Sequence, residues 1–265
     1  MAQTIPPGTP AAPATPSSAR EPVTATAVGT RRRKNFLLDL YGTAVGKKYV
    51  MAITGIMGIG YIVAHMVGNL KMYLGQDADG IYAIDHYGEF LRELLVPILP
   101  RTVTLWILRS GLILALVLHL HAAYSLTVLN RRSRPVKYQS ARDYQIASFA
   151  SRTMRWTGAI VLLFIVWHLL DLTGGQVNPD FVRGATYRNV DASLSRVPVA
   201  AFYVLANIAL GVHLYHGTWS LFQSIGWSSP RFNAWRRALA TGLATVVVVG
   251  NVSFPVAVLA GIVKV

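Results

Sequence analysis

The chain has 265 residues, 53% of them hydrophobic and only 14% charged, whereas a typical soluble domain carries about 25% charged residues. Its net charge of +14, from 25 Lys+Arg against 11 Asp+Glu, would by itself suit a nucleic-acid partner. The charges are confined to short stretches between long apolar runs, which excludes that class and indicates an integral membrane protein. No cysteine is present, so disulfides, thiolate-ligated metal sites and any iron–sulfur cluster held by this chain alone are excluded.

Residues 1–30 hold six of the thirteen prolines with many Ala, Thr and Ser, and read as a disordered tail that cannot offset its ordering entropy. Residues 31–48 form a basic amphipathic segment expected at the membrane surface: Arg31, Arg32, Arg33 and Lys34, then Phe36-Leu37-Leu38-Asp39-Leu40-Tyr41. Residues 49–265 are expected to form an all-α membrane domain of five transmembrane helices, at about 49–72, 103–130, 156–174, 197–224 and 238–262. Each is long enough for a hydrocarbon core of about 30 Å, which takes roughly 20 helical residues. The third contains one acid, Asp171, and no internal repeat is clear enough to argue from. Gly55, Gly58 and Gly60 in the first helix read as close-packing positions. Trp156, Trp227 and Trp235 at one boundary and Trp106 at the other read as an aromatic belt.

Orientation follows from the positive-inside rule. With a cytoplasmic N-terminus, residues 1–48, 131–155 and 225–237 lie inside and carry 17 Lys+Arg against three acids, while the remainder carries eight of each. The C-terminus is therefore expected outside the cytoplasm.

Six of the seven histidines fall in these spans: His65, His119, His121, His168, His213 and His216; only His86 lies in a loop. One membrane histidine can simply bond a neighbouring helix, but six over four helices, with almost no other ionisable groups, point to a cofactor. His65 lies 15 residues past Val50 and His168 lies 12 past Trp156, both in the outer half of the bilayer. The second and fourth helices run the other way and place His121, His213 and His216 together in the inner half. Two pairs of facing imidazoles, one above the other, suit six-coordinate haem b. Proton relay is the competing use, but the first, second, fourth and fifth helices hold no acid to partner it.

These residues carry a family resemblance. Gly46–Gly55 (GKKYVMAITG), Ala64–Leu70 (AHMVGNL), His121–Tyr124 (HAAY), Arg155–Gly158 (RWTG) leading to Trp167–Leu169 (WHL), and His213 ahead of Gly217–Ser220 (GTWS) resemble the cytochrome b membrane-anchor subunit of succinate dehydrogenases and fumarate reductases, in its single-chain, five-helix, di-haem form. The resemblance spans about residues 43 to 262.

It implies two haems b, with His65 and His168 as the outer axial pair and His121 and His213 as the inner pair. His119 and His216, each within a turn of an inner ligand, are alternative donors, and Arg155 is either an interfacial anchor or a partner of a haem propionate or quinone. It further implies a bacterial cytoplasmic-membrane complex with a flavoprotein subunit (FAD) and an iron–sulfur subunit on the cytoplasmic face, reducing menaquinone or ubiquinone. This chain would not act on succinate by itself. Three alternatives stand beside it: a b-type anchor of a hydrogenase, nitrate reductase or formate dehydrogenase; a histidine-ligated iron–sulfur centre whose thiolates come from a partner; and a non-redox structural anchor.

Overall fold

A computed structural model describes residues 35–133, 146–227 and 229–265. The tail expected over 1–30, the basic run Arg31–Lys34 and residues 134–145 of the second basic loop lie outside the described residues. The helices are α1 (Phe36–Gly42), α2 (Ala44–Asn69), α3 (Ala83–Arg92), α4 (Val103–Arg132), α5 (Ile146–Leu172), α6 (Thr186–Leu194), α7 (Val197–Ser224) and α8 (Asn233–Leu259). No strand forms among the described residues beyond the isolated bridge of Gln76 with Tyr82.

Five stretches are long and apolar enough to cross a membrane: Ala44–Leu74, Val103–Arg132, Thr153–Leu172, Val197–Ser224 and Pro230–Leu259. Three helices start several residues before the uncharged runs that announced them, because charge marks where hydrocarbon ends rather than where the backbone stops winding. The α2 helix starts at Ala44, where the Thr43 side chain caps it by accepting from the Gly46 N–H at 2.9 Å. The α5 helix begins at Ile146 and α8 at Asn233, each taking in basic residues before its apolar part.

The bundle is built around α7, which packs on α8, α5 and α2, while α2 packs on α4. Its interior is lined by small residues, among them Ala52, Ala122, Ala200, Ala206, Ala240 and Gly211. This is expected where lipid outside is as apolar as protein inside and close backbone approach drives association. A Cβ on Gly211 would collide with Val248 of α8, and one on Gly250 with Met66 of α2. Large apolar side chains such as Ile56, Leu108, Leu114, Leu163 and Val249 face outward.

One end of the bundle carries α1. There Arg236, only 2% exposed, lies 4.6 Å from the Trp219 ring and donates to the Trp227 carbonyl at 3.4 Å, tying α8 to α7. The opposite end is closed by two short helices that the sequence reading left in loops. Ile84 of α3 and Tyr187, Val190 and Leu194 of α6 pack with Met72, Phe254 and Val258, and Tyr82 stacks on Tyr187 at 3.6 Å. The last residues are tied down there: the Val265 N–H donates to Asp191 Oδ2 at 3.1 Å and the Lys264 N–H to the Tyr187 hydroxyl at 3.3 Å.

Candidate functional site

The α6 end of the bundle holds the first histidine pair. His65 of α2 and His168 of α5 meet edge to face, with ring centroids 5.8 Å apart. Each is flanked by an aromatic residue one turn earlier on its own helix: Tyr61 stacks on His65 at 5.3 Å, and Phe164 lies 5.6 Å from His168. The His168 Nδ1 lies 3.4 Å from the Tyr203 hydroxyl of α7. That hydroxyl donates to Asp171 Oδ2 at 2.7 Å. Asp171 is fully buried, and its carboxylate also accepts from the Ser193 hydroxyl at 2.5 Å and from the Arg196 guanidinium at 3.0 Å. The single acid of the third span is thus a satisfied buried ion, paired and hydrogen-bonded as such a group must be.

A second level of histidines lies toward the α1 end, His119 on α4 and His213 on α7, each set against a threonine of the helix beside it. The two are held alike. His119 Nδ1 lies 3.1 Å from the Thr54 hydroxyl of α2, and His213 Nδ1 lies 3.3 Å from the Thr157 hydroxyl of α5. Both threonines are buried, and each is followed by a glycine that leaves room for the imidazole. A Cβ on Gly158 would come within 3.3 Å of His213 Cε1, and one on Gly55 within 3.8 Å of His119 Cε1.

His121, expected from sequence in the inner pair, is exposed on another face of α4 and bonds the Tyr41 hydroxyl of α1, with rings stacked at 5.7 Å. His119, named from sequence only as its substitute, faces the bundle instead. His216 is buried one turn beyond His213, edge to face with Tyr215 at 5.1 Å. Arg155 is exposed at the start of the third span and makes no ion pair among the described residues. His86 pairs with Asp77 at 2.5 Å in the loop before α3, away from the other six. Gly58 and Gly60 face open space rather than a packed neighbour.

The geometry exposes a repeat. In α2, Thr54-Gly55 precedes His65 with Tyr61 four residues before the histidine; in α5, Thr157-Gly158 precedes His168 with Phe164 four residues before it. The threonine-to-histidine spacing is eleven residues in both, three helical turns, so both side chains share one face about 16 Å apart. Each of these helices gives a histidine to one level and a Thr-Gly seat to the other. The α2–α4 and α5–α7 pairs are therefore alike in these contacts. The spacing Thr-Gly-x9-His was the signal available in the sequence.

No group of three or more metal-ligating side chains gathers among the described residues. What the fold assembles is histidines at two levels: His65 and His168 in ring contact at one, and His119 and His213, each against a threonine, at the other.

Residues 129–252 match the family model for the succinate dehydrogenase/fumarate reductase transmembrane subunit. The match takes in the end of α4, all of α5, α6 and α7, and most of α8, just under half of the chain. No curated protein and no solved structure matches the chain. The family match and the five apolar helices support a multi-pass integral membrane protein.

Proposed function

We propose that this chain is the membrane anchor and electron-transfer subunit of a succinate:quinone oxidoreductase of the bacterial cytoplasmic membrane. It carries electrons from a flavoprotein and an iron–sulfur subunit to menaquinone or ubiquinone. The single observation that carries the proposal is the pair of histidine levels. On this reading His65 and His168 are one donor pair and His119 and His213 the other, with His119 in the place that sequence alone gave to His121; the ring contact of the first two and the matching threonine seats of the second two support it.

The donor set fits haem b. At His119, His168 and His213 the Nδ1 side is engaged by a protein hydroxyl, which leaves Nε2 as the coordinating nitrogen. Gly158 leaves the space that a side chain would take from the His213 imidazole. Bound between these pairs, haem supplies one-electron transfer at each level. The protein's own part is to aim the four imidazoles, to exclude water with apolar helix faces, and to present a basic surface at the α1 end. By the positive-inside rule, the side to which the sequence assigns 17 Lys+Arg against three acids is the cytoplasmic one and the docking side for the catalytic subunits.

The test is a reduced-minus-oxidised spectrum with haem extraction on the intact complex, repeated for single alanine variants. Two haems are expected in the parent protein. His65→Ala and His168→Ala should each remove one, His119→Ala and His213→Ala the other, and His121→Ala neither. A complex that reduces quinone without haem would overturn the ligand assignment.

A further inference from the structure

We propose that Thr54 and Thr157 are positioning residues that fix His119 and His213 in the tautomer with hydrogen on Nδ1, so that both present a bare Nε2 to the centre they share. The chemistry of a hydroxyl gives the direction. Thr54 Oγ1 lies 2.7 Å from the Val50 carbonyl and 3.3 Å from that of Met51; Thr157 Oγ1 lies 2.8 Å from the Thr153 carbonyl and 3.2 Å from that of Met154. A threonine has one hydroxyl hydrogen, and in each case a backbone carbonyl of the preceding turn takes it. What the oxygen still offers the imidazole 3.1 or 3.3 Å away is a lone pair. The imidazole nitrogen must then be the donor, which places the ring hydrogen on Nδ1 and leaves Nε2 unprotonated. Free imidazole side chains in water favour the opposite tautomer, so the seat selects the minor form.

The same device occurs twice, on helices that share the Thr-Gly-x9-His spacing, with matching carbonyl, hydroxyl and imidazole distances and a glycine next to each threonine. At the other level the arrangement differs: His168 is oriented by Tyr203, itself tied to the Asp171 ion, and His65 rests on Tyr61. The two centres thus have distinct surroundings, neutral hydroxyls for one and a buried ion one step removed for the other. An orienting partner of this kind typically changes metal affinity by about 10–100-fold. The inference rests on the ligand assignment above only for that affinity; the tautomer itself needs no cofactor.

The experiment uses the full chain with 15N-labelled histidine, prepared from cells starved of haem. Nitrogen shifts, assigned with His119→Gln and His213→Gln, report which ring nitrogen carries hydrogen. The expected result is Nδ1–H at both histidines, lost at His119 alone in Thr54→Val and at His213 alone in Thr157→Val, and kept in Thr54→Ser and Thr157→Ser. Haem titration of the same proteins should show one of two sites weakened about 10–100-fold in each valine variant. Nε2–H in the parent protein, or shifts that the valine substitutions leave unchanged, would overturn the proposal. Expected tautomers in a chain and complex that bind no haem would instead support the positioning role and refute the haem assignment.

Discussion

Tyr203 of α7 donates its hydroxyl hydrogen to Asp171 of α5 over 2.7 Å while its oxygen lies 3.4 Å from His168, so a buried ion and a histidine are joined through one phenol. Tyr203→Phe removes a donor from a carboxylate with no solvent exposure, at a cost of about 1–3 kcal/mol. It should lower the melting temperature of the purified complex and alter the spectrum of the His65–His168 centre alone. An equal change at both centres would contradict the separation of the two levels.

The Asp171–Arg196 pair is lopsided, with side-chain exposures of 0% and 32%. Arg196→Ala strands a carboxylate in the protein interior and should cost roughly 3 kcal/mol, since breaking a buried pair from one side leaves an uncompensated charge. Asp171→Asn keeps groups that can bond Ser193 and Tyr203, and leaves an arginine that reaches water, so its cost should be smaller. Thermal unfolding in detergent checks the order, and a reversed ranking would refute the burial argument.

The two glycine seats differ in clearance. Alanine at Gly158 brings a methyl group to 3.3 Å from His213, tighter than ordinary contact, whereas at Gly55 the distance to His119 is 3.8 Å. Gly158→Ala should therefore displace His213 and weaken its centre, while Gly55→Ala should be tolerated. Haem content of the two variants, measured side by side, distinguishes them.

Topology gives a direct check on orientation. A reporter fused after Val265 should be extracytoplasmic, and one inserted within residues 134–145 cytoplasmic, because the excess positive charge lies on the side of that loop. A cytoplasmic C-terminus would require an even number of crossings and would contradict the five-span fold.

The loop before α3 and α3 itself should loosen in acid. Backbone hydrogen bonding from Ile81, then the His86 side chain, holds the Asp77 carboxyl below its ordinary value of 3.8. Arg101 and then Arg92 hold Glu89 below 4.5 in the same way. Depressed folded-state values contribute stability that is present above the unfolded values and lost as pH falls through the folded ones. The protection factors of residues 77–93, exchange rates corrected for the intrinsic pH dependence of amide exchange, should thus fall as the pH drops below about 4. Protection factors that rise as the pH falls through 4 would contradict the sign.

The five spans were legible because a bilayer imposes a length and forbids charge, and both are written in one dimension. The histidine levels were partly legible for the same reason, since rise along a helix gives depth. Depth cannot separate His119 from His121, which differ by only about 3 Å in rise yet point to opposite faces of α4. Choosing between them took a residue of another helix, Thr54, and that contact is not local in sequence. The α3 and α6 helices were missed because they are short and partly polar, and their helical state comes from closing the end of a bundle rather than from a long apolar face.

Each histidine pair takes one member from the α2–α4 half and one from the α5–α7 half, so neither half contains a complete pair. A nascent chain that has inserted only α2 and α4 holds His65 and His119 with nothing opposite them. His168 follows with α5, and the remaining partner waits for α7 to leave the ribosome. If these histidines hold haem as proposed, maturation would be deferred until nearly the whole membrane domain has been translated, and a chain truncated before α7 would reach the membrane unable to finish the α1-end centre.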